Sequence, residues 1–246
     1  MRNPTPTSVA IGLATAALLC GAAVAVAVPA PAGARETARV GGAQQLALFS
    51  HATVARARPS LGGRAITKVK AFRPITGSNT VLPVTGHAKD ATGARWSRVL
   101  LPGRPNGHSG WVRDREITAT TTSLRVNIHL SARKVLVYRD GRLIRTFSAV
   151  VGAPSTPTPT GHFFLEETVR LSASTAGAPY ALALSARSNV FQEFAGGPGQ
   201  VAIHGTANVG GVLGTAVSHG CVRVASGTVT WLAVNMDPGA PITITS

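Results

Sequence analysis

Apolar and polar positions along this chain alternate far more often than they recur at helical spacing. Short alternating or β-branched runs stand at Ala52–Ala57, Ala65–Ala71, Thr80–Val84, Trp96–Leu101 and Gly110–Val112. Turn-forming clusters separate them, among them Gly62-Gly63, Gly77-Ser78-Asn79 and Asn106-Gly107. Five short strands in about seventy residues predict a small barrel. Beyond a short polar link at Ala119–Thr122, Leu124, Val126 and Ile128 alternate with polar neighbours, as a half-buried strand should. Val135–Tyr138 and Leu143–Val150 flank Asp140-Gly141, which predicts a hairpin with a tight primed turn. Further β signals follow at Phe163–Val169, Tyr180–Leu184, Val201–His204 and Val222–Val224, and only Thr228–Asn235 carries a helical pattern. The expected fold is mainly β throughout.

The first residues read differently. Met1-Arg2 is followed by an uncharged run from Val9 to Val28 and then by Ala32-Gly33-Ala34. A basic start, an apolar core and a small-x-small site describe a secretory signal ending near residue 34. The run is also just long enough to span a bilayer, so a cleaved signal and an uncleaved membrane anchor both stand open. Lipidation at Cys20 is disfavoured, because Leu19 precedes it. Either way the functional part is expected outside the cytoplasm, in the cell wall or periplasmic space. From Pro29 to about Gln45 the chain is rich in Pro, Ala and Gly without clear periodicity, and residues 35–48 are expected to form a linker.

Composition narrows the partners. The chain has 246 residues, with 24 basic and 9 acidic side chains, for a formal charge of +15. Such an excess favours acidic surroundings. The basic residues are dispersed and seldom stand beside aromatics, which excludes a recognisable nucleic-acid-binding motif. Anionic envelope polymers are the better match. His51, His87, His108, His129 and His162 are scattered without paired ligand spacing, so no metal site is expected.

The candidate chemistry lies at Ser218-His219-Gly220-Cys221-Val222-Arg223, with His204-Gly205-Thr206 upstream. Outside the N-terminal run, Cys221 is the only cysteine and can form no internal disulfide. A lone cysteine is more often a small buried hydrophobe than a nucleophile. Here a histidine within reach can take the thiol proton and leave a thiolate to attack a carbonyl. If the stretch is extended, His219 and Cys221 share a face, and His204 must arrive from a neighbouring strand. Gly205 and Gly220 permit close backbone approach, and Ser218 and Thr206 add hydroxyls.

The spacing His204-Gly205-Thr206, eleven residues, then Ser218-His219-Gly220-Cys221 resembles the signature of the L,D-transpeptidase (YkuD-type) catalytic domain. Val151-Gly152 and Thr158-Pro159-Thr160-Gly161-His162-Phe163 resemble the stretch preceding the active site in that family. One departure is Arg223, where some members have Asn. The resemblance implies a curved β-sandwich and peptidoglycan stem peptides as substrate. It implies Cys221 as nucleophile, His204 as proton donor and acceptor, and His219 as the orienting group. It further implies supporting roles for Ser218, Gly205 and Thr206, with the N–H groups of Gly220 and Cys221 as oxyanion donors. Arg223 either holds a substrate carboxylate or pairs structurally, and Tyr180 is a weaker substrate-binding candidate. Carbapenem-type β-lactams are expected to acylate Cys221. No cofactor is expected, since exchanging one acyl bond for another of similar energy needs neither nucleotide nor metal.

Transfer of the acyl group to water instead would make an L,D-carboxypeptidase, and a non-catalytic wall-binding protein is the reading from another class. Trp96 to Val112, ending in Gly110-Trp111-Val112, resembles the close of bacterial SH3-like domains. The expected organisation is therefore an SH3-like wall-binding module at 49–118 and the catalytic domain at 122–246.

Overall fold

Residues 41–193 and 196–246 are described by a computed structural model. The expected signal or anchor at 1–34 lies outside the described residues. The first module is an antiparallel sheet of β1 (Gln44–Phe49), β2 (Thr53–Arg56), β3 (Ala65–Val69), β4 (Thr80–Lys89), β5 (Arg95–Leu100), β6 (Ser109–Arg113) and β7 (Thr118–Thr122). Its spatial order is β3-β2-β6-β5-β4-β1-β7. Two expectations change here. Gln44–Leu48 is not linker: it is most of β1, paired with β4 on one side and β7 on the other. The polar link at Ala119–Thr122 is likewise a strand, an edge whose Thr-rich composition suits exposure on both faces. The modules therefore meet at Ser123. Trp96 is 1 % exposed, with Nε1 donating to Asp90 at 3.0 Å, so it is core, whereas Trp111 is half-buried.

The second module runs through β8 (Leu124–His129), β9 (Lys134–Arg139), β10 (Arg142–Ser148), β11 (Val151–Gly152), β12 (Gly161–Arg170), β13 (Tyr180–Arg187), β14 (Gln200–His204), β15 (Ala216–Ser218) and β16 (Val222–Arg223). It closes with the helix α1 (Ser226–Asn235) and β17 (Pro241–Thr245). Asp140 and Gly141 both have positive φ, 50° and 75°, as the primed turn between β9 and β10 requires. Eight strands run in the order β10-β9-β8-β17-β12-β13-β14-β16. The long β12 pairs with β17 through residues 161–164 and with β13 from Leu165 onward, with a register shift between Leu165 and Glu167. A strand that changes partners at a bulge turns one layer into the next, and the result is sandwich-like. Val126, Val137, Phe163 and Ile242 meet Leu182, Leu184, Ile203 and Val222 in one core, which α1 closes with Val229 and Leu232.

The modules share β12. Phe163 and Leu165 face the second core, and Phe164, with the opposite orientation along the strand, fills the first with Phe49, Leu82 and Val112. Beside it, Glu166 accepts from Arg73 of the first module at 2.7 Å and faces Arg187 at 3.0 Å. Glu167 accepts from the Thr76 N–H at 3.1 Å and its hydroxyl at 2.9 Å. Burial raises the Glu166 carboxyl and the two guanidiniums draw it back. Removing one member of a buried ion group leaves the others uncompensated, which typically costs about 3–5 kcal/mol. Glu166→Ala should lose stability on that scale in chemical denaturation, and a loss below about 1 kcal/mol would show the network to be idle.

Candidate active site

The candidate residues gather at the β14–β16 edge of the eight-stranded order. β14 and β16 pair in parallel, with Ile203 opposite Val222 and His204 opposite Arg223. Cys221 immediately precedes β16 and falls beside Ala202, whose backbone hydrogen-bonds to the sulfur. Ala202 and His204 lie two residues apart on one face of β14, about 7 Å along the strand. Among the described residues no hydrogen bond joins the histidine to the thiol, and both lie within reach of the Arg223 charge. The His204 Nδ1 is 2.8 Å from the Gly205 carbonyl oxygen. That oxygen can only accept, so Nδ1 carries the proton and Nε2 is left as the base. Gly205 is held in turn by its N–H on the Gly177 carbonyl at 2.8 Å.

Burial decides the resting charges. It raises the Cys221 thiol, against the Ala202 hydrogen bond and the positive charge of Arg223, which pull the other way. It lowers the His204 imidazole, with Gly205 opposing and Arg223 adding to the fall. Both shifts favour the neutral thiol and the neutral imidazole over their charged forms.

The turn before Cys221 is built by hydrogen bonds. Ser218 is 1 % exposed, and its Oγ donates to the Cys221 carbonyl and accepts the Gly220 N–H at 3.1 Å. Thr158 Oγ1 donates to the Gly220 carbonyl at 2.9 Å and accepts the Gly152 N–H at 2.9 Å. Thr156 Oγ1 and the Ala153 N–H both donate to the Ser218 carbonyl at 2.9 Å. The segment from Gly152 to Thr158 is thus a clamp on the turn before Cys221. A Cβ at Gly152 would lie 2.4 Å from the Thr158 nitrogen, so only glycine allows the clamp to close. Gly220 has a φ of +114°, which orients the turn and strongly favours glycine.

Three expectations are corrected by this geometry. The Gly220 N–H is spent on Ser218, which leaves the Cys221 N–H as the oxyanion candidate of the two. His219 and Cys221 do not share a strand, because β15 ends at Ser218 and the chain bends through Gly220. They nevertheless line one narrow cleft of about 20 Å³, room for about one water, with Ser188, Phe191, Gly199, Gln200 and Val201. The exposed His219 ring meets Phe191 edge-on at 6.0 Å. Tyr180 is not in that cleft: it starts β13 opposite Arg170 and rests on the core. Thr206 lies in the bend after β14, half-buried, two residues beyond His204.

Arg223 has a largely structural environment. It is 8 % exposed and donates through one terminal nitrogen to the carbonyls of Val209 at 3.3 Å and Gly210 at 3.1 Å. Its buried Nε has no hydrogen-bond partner. Its charge still reaches both Cys221 and His204. Sequence reasoning found Thr158 only as part of a motif, and missed Thr156, the Ala202 backbone and the cleft wall at Ser188 and Phe191. Their roles come from strands distant in sequence, and no local signal marks them.

Residues 123–244 match the L,D-transpeptidase catalytic domain, YkuD. YkuD of Bacillus licheniformis is 31 % identical over 125 residues, covering 51 % of this chain and 67 % of that protein. L,D-transpeptidase 1 of Mycobacterium tuberculosis is 32 % identical over 127 residues, covering 47 % of this chain and 47 % of that protein. Among solved structures, an L,D-transpeptidase from Mycobacterium smegmatis is 18 % identical over 80 % of this chain and 100 % of that chain, with a TM-score of 0.40. The LD transpeptidase LdtMt1 in complex with imipenem is 20 % identical over 84 % and 100 %, with a TM-score of 0.43.

Proposed function

From the premise that this chain belongs to the YkuD L,D-transpeptidase catalytic-domain family, an acyltransferase family of peptidoglycan crosslinking, we propose that it crosslinks stem peptides through a thioester on Cys221. The observation that carries this reading is the tethered imidazole. With His204 Nδ1–H committed to Gly205, Nε2 is the free base on the face of β14 that carries Ala202 and the thiol beside it.

In this mechanism Sγ attacks the carbonyl at the L-centre of the diamino acid, and His204 Nε2 takes the thiol proton. The developing oxyanion is met by the Cys221 N–H. Collapse breaks the bond to the terminal D-alanine, whose amine receives that proton from His204. The side-chain amine of a second stem then attacks the thioester, passing its proton to His204 as the thiolate leaves. His219 orients the site from the opposite wall of the cleft. Arg223, already held by two carbonyls, steadies negative charge on the sulfur.

In the same reading the seven-stranded module is an SH3-like wall-binding unit acting outside the cytoplasm, supported by the Gly110-Trp111-Val112 ending and the charge of +15. Purified protein with tetrapeptide muropeptides should yield dimers and free D-alanine by mass spectrometry. Trimmed monomers without dimers would assign the thioester to water instead, and no reaction would remove the enzymatic reading. Imipenem should leave one adduct per chain, on Cys221, by intact-mass and peptide mapping. An adduct on a serine would refute the thiol mechanism.

A further inference from the structure

One wall of the Cys221 cleft is held from the first module. The loop between β5 and β6 carries Arg104, whose guanidinium donates to the carbonyls of Pro198 at 2.9 Å, Ser188 at 2.8 Å and Phe191 at 2.9 Å. Asn106, two residues on, donates to the Arg187 carbonyl at 2.8 Å and accepts the Arg187 N–H at 2.8 Å. Ser188, Phe191 and Gly199 are cleft residues that stand against Cys221 and His219. All of the acceptors that Arg104 reaches are backbone carbonyls of the second module.

The fit is close. A Cβ on Gly199 would lie 3.1 Å from the Arg104 guanidinium. A planar fork with several fixed donors suits three divergent carbonyls, where an ammonium would reach fewer. Arg104 itself is exposed, so it adds little to either core. Its hydrogen bonds are directed to the position of the wall.

We propose that Arg104 is a positioning residue for the acyl-transfer site, fixing Ser188 and Phe191 across Cys221 so that the first module forms part of the catalytic device. This rests on Cys221 being the reacting group. The wall sets how closely a carbonyl is held to Sγ, and a displacement of about 1 Å in such a site can cost on the order of a hundredfold in rate. It also shields the thiol from small reagents.

The test uses the full chain with Arg104→Ala, Arg104→Lys and Asn106→Ala. Arg104→Ala should raise the rate of Cys221 alkylation by iodoacetamide about tenfold and lower kcat/KM for D-alanine release about ten- to a hundredfold. Hydrogen exchange should speed up at Ser188–Phe191 while the core strands of both modules keep their protection. Arg104→Lys should fall between wild type and alanine in both readouts. Asn106→Ala, which loosens the same wall at Arg187, should move alkylation in the same direction, and it decides the matter if Arg104→Ala does not fold. Wild-type alkylation and exchange in folded Arg104→Ala would overturn the proposal. So would a uniform rise in exchange across the chain, which marks a merely structural role. Alkylation and exchange need no turnover, so absence of D-alanine release from the wild type would count against the proposed reaction alone.

Discussion

Cys221→Ala should abolish D-alanine release from tetrapeptide stems while the protein stays folded. The substitution removes one sulfur atom from a half-buried position and keeps the Cβ. The turn around it is held by Ser218, Thr156 and Thr158 through backbone carbonyls and N–H groups, none of which is lost. Cys221→Ser should be nearly as inactive, because a hydroxyl is far less acidic than a thiol and a neutral imidazole cannot readily activate it. Thermal unfolding followed by circular dichroism should place both variants close to wild type. D-alanine release at the wild-type rate from the alanine variant would overturn the mechanism as a whole.

His204→Ala should cost about a hundred- to ten-thousandfold in kcat/KM, because proton removal from the thiol and protonation of the leaving amine fail together. The sign of the pH dependence follows from burial. His204 must be neutral to act as a base, and burial lowers its affinity for a proton. Activity should therefore persist below the ordinary imidazole value of about 6.5 before it falls on the acid side. That acid limb should vanish in His204→Ala. The thiol is shifted the other way, so alkylation of the resting enzyme should still be climbing above the usual thiol range. His219→Ala should lower the rate while keeping the acid limb, since its ring acts from the cleft wall beside Phe191. If the limb disappears in His219→Ala and survives in His204→Ala, the base has been assigned to the wrong histidine.

The alternating patterns located most strands because alternation is a local consequence of one buried face. Leu124, Val126 and Ile128 reach the core as their spacing predicts. Asp140-Gly141 forms its primed turn because both residues tolerate positive φ. β1, β7 and β17 were missed for a shared reason. Each is held by partners far away in sequence: β1 by β4 and β7, and β17 by β8 in parallel and β12. Pro241 at the start of β17 also reads locally as a break, although a first strand position tolerates proline. His219 was misplaced because alternation was assumed to run through Gly220, where a φ of +114° interrupts it.

By itself the sequence determined the mainly β character, the pairing of Cys221 with histidines of signature spacing, and the glycines without which the nucleophile turn cannot form. These are properties of residue type and short-range geometry, and they are written in consecutive positions. Only the tertiary structure decided which nitrogen of His204 is free, that burial favours the neutral forms of thiol and imidazole, and that Gly220 gives its N–H to Ser218. It alone joined the two modules through Phe164 and Glu166, on the side of β12 turned away from the second core, and set Arg104 against the wall of the cleft. Charge state, hydrogen-bond partner and domain contact depend on what lies across space from a residue, and no local pattern in the chain encodes that.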